Sequence, residues 1–137
     1  MNSTGTWASF GAMIDPLFLL DSNICIYLLQ GSVERLNVRV RAQARGSLAV
    51  SAISYAEVRL GVRDARGEAA LQAFLRDVPV MPFDAAAAEA YARLPFRRAR
   101  LDRLIAAQAL AAGLTLITNN ERDFADIPDL KLENWTL

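Results

Sequence analysis

The chain has 137 residues, 15 basic and 15 acidic side chains, no histidine and one cysteine, Cys25. That length fits one domain with a real core, and a net charge of zero excludes a global basic field as the source of nucleic-acid binding. Without histidine there is no Ser-His-Asp triad and no HExxH zinc motif, and a lone cysteine closes no internal disulfide, which predicts a reducing, cytoplasmic setting with Cys25 as a small core residue.

The segment MNSTGTWASFGAMID lacks the basic start and long apolar core of a signal peptide. Residues 1–15 read as a flexible extension, with Met13 as an alternative start, and residues 16–137 as a single domain. No apolar run reaches the roughly 20 residues of a membrane span. Pro16–Leu20 predicts a short strand that stops at a carboxylate, Asp21. Ser22–Gln30 predicts a helix with Ser22 near its cap and Gly31 as its stop. Val33–Arg45 has apolar residues at Val33, Leu36 and Val40 with arginines between, the pattern of an amphipathic helix ended by Gly46.

A second strand is expected at Leu48–Val50 and a helix over Ile53–Val62. A further helix follows at Glu68–Arg76 and a brief strand at Val78–Met81. In FDAAAAEAYARLP, Asp84 caps a helix that runs to Leu94 and stops at Pro95. Leu101–Ala112 is apolar nearly all round, a buried helix, with Gly113 suited to its C-terminal cap. Leu114–Thr118 predicts a strand, NNERDFADIP a loop, and Leu130–Leu132 a last strand near an edge. Strands alternating with helices imply a three-layer α/β/α sandwich around a central, mostly parallel sheet.

Ligands of such sheets sit at the carboxyl ends of the strands. Four acids are candidates, and each has a plain structural alternative. Asp21 either caps the following helix or serves as a ligand. Glu57, three residues after Ser54, matches a capping box, yet it also lies beside the apolar stripe Ile53, Ala56, Leu60, where a carboxylate needs a partner. Asp102 opens an apolar helix, where the helix dipole favours an acid. Asp123 stands in a polar loop, where aspartate is ordinary. Asn23, Asn119 and Asn120 add oxygen donors nearby. Hard cations such as Mg²⁺ favour oxygen ligands, and a cation relieves repulsion between clustered carboxylates.

Three blocks in order, FLLDSNICIYLLQGS, VSAISYAEVRLGV and LDRLIAAQALAAGLTLITNNERDFADIPDLKLENW, resemble the PIN-domain ribonucleases, and among these the VapC-type toxins of toxin–antitoxin systems. The resemblance runs from Leu17 to Trp135 and implies a PIN-like fold. It places the family's strand-end acid on Asp21, its helix glutamate on Glu57, its third acid on Asp102 and its fourth on Asp123, with Asn120 as the alternative to Asp123. It implies a Mg²⁺ or Mn²⁺ site held by Asp21, Asp102 and Asp123, with Glu57 completing the site or orienting the attacking water. Ser22, Asn23, Asn119 and Asn120 are expected to support it.

The resemblance further implies hydrolysis of RNA phosphodiesters, a cognate antitoxin partner, homodimers and toxin–antitoxin hetero-oligomers. The alternatives are a non-catalytic PIN-like module and a housekeeping RNA-processing nuclease. A receiver domain is disfavoured because Asp21 is followed by Ser22 rather than a second aspartate, and Lys131 is the sole lysine. Two departures from the family stand out. Ser22 replaces a frequent threonine. The short PFRRARL replaces a longer segment with a Gly-Pro turn, which brings Arg97, Arg98 and Arg100 close to Asp102 as RNA-phosphate or partner contacts, or as a solvated turn.

Overall fold

The computed structural model describes residues 15–95 and 100–137. The expected N-terminal extension, apart from Asp15, lies outside the described residues, as do Arg97 and Arg98. The strands are β1 (Phe18–Leu20), β2 (Leu48–Ser51), β3 (Val80–Met81), β4 (Thr115–Ile117) and β5 (Leu132–Glu133). They form a sheet in the order β3-β2-β1-β4-β5, and every pairing is parallel. The central strand is apolar on both sides because both of its faces are covered. Leu19 turns to one core with Ala90, Ile105 and Phe124. Leu20, one residue on, turns to the other with Ile24, Leu36 and Leu71, as the two-residue period of a strand requires.

The helices are α1 (Ser22–Gln30), α2 (Glu34–Arg41), α3 (Ala52–Leu60), α4 (Ala65–Asp77), α5 (Ala85–Ala92) and α6 (Leu101–Ala112). Helices α5 and α6 supply the first core; α1, α2 and α4 supply the second. Gly31 (φ 66°) and Gly113 (φ 69°) end α1 and α6 in the left-handed region, where a Cβ is unfavourable. Cys25 is a fully buried core residue, and burial pushes its thiol pKa well up.

Among the boundaries that differ from the sequence pattern, three have clear local reasons. Helix α2 ends at Arg41 rather than Arg45, and the chain turns back to β2 through Gly46 at φ 93°. Helix α4 begins at Ala65, three residues before Glu68, because Asp64 caps it by accepting from the Gly67 amide at 2.8 Å. Helix α3 is capped by Ser51, whose hydroxyl accepts from the Ile53 amide at 2.9 Å. Ser54 and Glu57 are therefore not a capping box: both stand inside the helix.

The chain runs from β1 to β2 and β3 on one side, then crosses to β4 and β5 on the other. The strand order thus reverses between β1 and β4, and a crevice opens beyond their carboxyl ends. Asp21 follows β1 directly; Thr118 follows β4. Their backbones are tied to neighbouring strands, Asp21 N to Ile117 O at 2.9 Å and Thr118 N to Glu133 O at 3.1 Å. Helix α6 leads into β4, so its N-terminal turn with Asp102 lies at the same edge.

Candidate metal and active site

Asp21, Glu57, Asp102 and Asp123 line one cleft of about 370 Å³ at this edge, together with Ser22, Asn23 and Asn120. Leu101, Ile105 and Phe124 supply its apolar part. Each acid arrives on a different segment: the end of β1, the middle of α3, the first turn of α6 and the 3₁₀ turn Glu121–Phe124.

Asp21 is 7% exposed. Its Oδ1 accepts from the Ser22 amide at 2.8 Å and its Oδ2 from the Thr118 hydroxyl at 2.8 Å. It caps α1 and lines the cleft at once, so capping does not turn it away from the cleft. Burial pushes its pKa up; the bonds from Thr118 and the Ser22 amide pull it down; the charges of Asp102 and Glu57 push it up again. The net direction is upward. Glu57 Oε1 accepts from the Ser22 hydroxyl at 2.5 Å, and Ser54 Oγ lies 3.0 Å from Ser22 Oγ.

Asp102 Oδ2 accepts from Arg100 Nη2 at 2.8 Å. Its other oxygen, Oδ1, is buried and has no hydrogen-bond partner. Asp123 Oδ2 accepts from Asn120 Nδ2 at 2.5 Å and from Arg100 Nη2 at 3.2 Å. Asn119 is engaged elsewhere: its amide donates to Tyr27 Oη at 3.1 Å. Thr118 was not singled out by sequence, although it is central, holding Asp21 and accepting from the Asn120 amide at 3.0 Å. Its one signal was its place at the end of an apolar strand.

A model of the PIN domain matches residues 18–130. The chain belongs to the PIN-domain family. It is 30% identical to "Ribonuclease VapC2" of Rickettsia felis, over 87% of this chain and 98% of that protein. It is 28% identical to "tRNA(fMet)-specific endonuclease VapC" of Shigella flexneri, with the same coverage. The structure resembles the VapBC2 complex of Rickettsia felis bound to a promoter DNA fragment, with a TM-score of 0.78 at 30% identity, over 87% of this chain and 98% of that one. It also resembles DNA-bound VapBC of Salmonella typhimurium, with a TM-score of 0.78 at 26% identity, over 88% and 98% of the two chains.

The side chains of this PIN domain suit a hard divalent cation. The donors are all oxygens. The orphaned Asp102 Oδ1 is a buried acceptor with nothing to accept from, which is costly for a carboxylate. Asp21 is pushed toward protonation by the neighbouring acids Asp102 and Glu57 as well as by burial, and a nearby cation reverses that push. As the side chains stand, no three carboxylates among the described residues are gathered at ligand spacing; Arg100 bridges Asp102 and Asp123.

A second, more apolar groove opens between α1, α3 and α4. Ile26, Leu29, Val58, Val62 and Ala70 line it, and Glu57 is common to both openings. No helix among the described residues is long and apolar enough to cross a membrane.

Proposed function

We propose that the chain is the toxin of a toxin–antitoxin pair, an endoribonuclease that hydrolyses RNA phosphodiesters at the cleft beyond β1 and β4. The observation that carries this reading is the meeting of four carboxylates, from four separate segments, in one cleft. The ribonuclease names of relatives that align along most of the chain support the substrate class.

Asp21, Asp102 and Asp123 are the residues that would hold Mg²⁺ or Mn²⁺. A bound divalent ion supplies a water of lowered pKa and stabilises charge on phosphoryl oxygens. Asp21 is held rigidly by Thr118 and the Ser22 amide, so it offers a fixed oxygen edge. Glu57 is anchored at Oε1 by Ser22, and its carboxylate borders the cleft, where it accepts the proton of the attacking water. Asn120 holds Asp123 in place. No histidine is needed for any of these steps.

The partner is an antitoxin, as in the VapBC complexes that this structure resembles. The groove between α1, α3 and α4 is its seat: an apolar helix face fits a groove of this kind, and the groove reaches Glu57.

The test is cleavage of total cellular RNA by antitoxin-free protein with Mg²⁺, with Mn²⁺ and with EDTA, beside purified initiator tRNA as a defined substrate. Discrete products that need the metal support the reading. Folded protein that cuts no RNA under any of these conditions, and whose expression leaves growth unaffected, contradicts it.

A further inference from the structure

Arg100 is the one basic residue among the described residues that line the cleft. Its backbone is extended (φ −122°, ψ 136°) at the N-cap of α6, a position it fills without a capping hydrogen bond from its side chain. Its guanidinium instead reaches inward, with Nη2 at 2.8 Å from Asp102 Oδ2 and 3.2 Å from Asp123 Oδ2. One cationic group therefore joins carboxylates from α6 and from the loop after β4. These are oxygens that the reading above assigns to a divalent cation, and the present inference rests on that reading.

A guanidinium is a permanent cation in proteins, so these acids are freed only by a change in the position of the Arg100 side chain. It has to be displaced. Displacement is feasible because the side chain is 43% exposed, and ion pairs at such exposure add little to stability. Arg100 Nη2 engages only one oxygen of Asp102, and Oδ1 is left buried and unpartnered. The bridge therefore neutralises charge without saturating the carboxylate. The ion pairs Arg59–Glu68 and Arg103–Asp126 differ: none of their members lines the cleft.

We propose that Arg100 is an internal counter-ion which holds the Asp102 and Asp123 side of the cleft in the cation-free protein and competes with the divalent cation for those oxygens, so setting the metal concentration at which the nuclease becomes loaded. Arg100 is a positioning residue in this scheme, acting through Asp102 and Asp123.

The experiment is calorimetric titration of Mn²⁺ into the full chain, for wild type, Arg100→Ala, Arg100→Gln, Arg100→Lys and Asp102→Asn, with thermal melts to show that each is folded. An adjacent opposite charge commonly shifts a carboxylate's proton affinity by about 1–3 pK units, so a competing cation should respond on a similar scale. Removing the charge is expected to tighten Mn²⁺ binding by about tenfold or more. Arg100→Lys keeps the charge without the planar fork and should fall between wild type and the neutral variants. Two neutral variants guard against a folding defect in either one.

Unchanged or weaker Mn²⁺ binding in both neutral variants overturns the competition. If wild type still binds Mn²⁺ and Asp102→Asn abolishes it, the metal site stands while the role of Arg100 falls. If no variant and no wild-type protein binds Mn²⁺, both fall together.

Discussion

The two walls of the cleft hold their acids by different means. On the wall built by β1, α1 and α3, neutral donors do the work: Thr118 and the Ser22 amide fix Asp21, and the Ser22 hydroxyl fixes Glu57. On the wall built by α6 and the loop after β4, a cation is added: Arg100 joins Asp102 to Asp123, which the neutral Asn120 amide also holds. Neutral donors set geometry and leave the negative charge in place. A guanidinium sets geometry and cancels charge. One wall is thus poised for a cation, whereas the other is already partly neutralised, and the site becomes uniformly electronegative only when Arg100 moves aside.

Among substitutions that keep all three aspartates, the largest expected effect lies on the first wall. Glu57→Gln keeps the shape and the Ser22 contact but removes a proton acceptor, and cleavage should fall about 100-fold or more, read from initial rates on a defined RNA. Retained cleavage would place the general base elsewhere. A smaller loss is expected from the donors themselves. Thr118→Val leaves Asp21 Oδ2 and the Asn120 amide without the bonds they now make, and Ser22→Ala frees Glu57. Groups of this supporting kind typically contribute about 10-fold to 100-fold in metal affinity or activity. If either variant cleaves like wild type, neutral donors are not what holds that wall.

A third prediction concerns stability, and its sign follows from Asp21. The folded-state pKa of Asp21 is raised above its ordinary value, first by burial. The folded protein therefore binds this proton more tightly than the unfolded chain does, and stability is lost as pH rises from the unfolded pKa through the folded one. Asp21→Asn does not titrate. In EDTA it should be more stable than wild type at pH 7, by about 1 kcal/mol, the usual scale of a single stabilising substitution. The gap should shrink as the pH is lowered past the ordinary carboxyl range. A gap that widens at low pH contradicts the assignment.

The smallest effect on cleavage is expected away from both walls. Ala70 is exposed on α4 and lines the apolar groove. Ala70→Arg should leave RNA cleavage within about twofold, as surface changes usually leave stability within ±0.5 kcal/mol, while weakening capture of the co-expressed antitoxin. Undiminished capture would move the antitoxin's seat off this groove.

Much of the fold was legible because it follows from local rules. Short apolar runs gave strands, glycines at Gly31 and Gly113 gave helix ends, and Asp84 gave a cap, its carboxylate accepting from the Ala87 amide at 2.9 Å as expected. The four acids were visible because strand ends and helix starts in an alternating α/β chain converge on one edge. What was hidden depends on contacts between distant segments. Ser54 and Glu57 have the spacing of a capping box, yet the same spacing places two residues on one helical face, and the choice depended on Ser51 upstream. Thr118 holds Asp21 across 97 positions, and Arg100 reaches Asp123 across 23; no local pattern encodes either. Arg100 was expected either as an RNA-phosphate or partner contact or in a solvated turn, and its pairing with Asp102 and Asp123 was not foreseen. Gln108, buried in the apolar helix α6, is likewise explained by tertiary partners: it donates to the Met81 and Pro82 carbonyls at 3.0 and 2.9 Å and accepts from Ser51 at 2.7 Å.

The most direct test takes one acid from each wall. Cleavage of total RNA in Mg²⁺ and in Mn²⁺ should be measured for wild type, Asp21→Asn and Asp102→Asn, with melting curves recorded in parallel. The account predicts discrete metal-dependent products from wild type and none from either variant, while both variants remain folded. Cleavage at the wild-type rate by either folded variant would contradict a single site built from both walls.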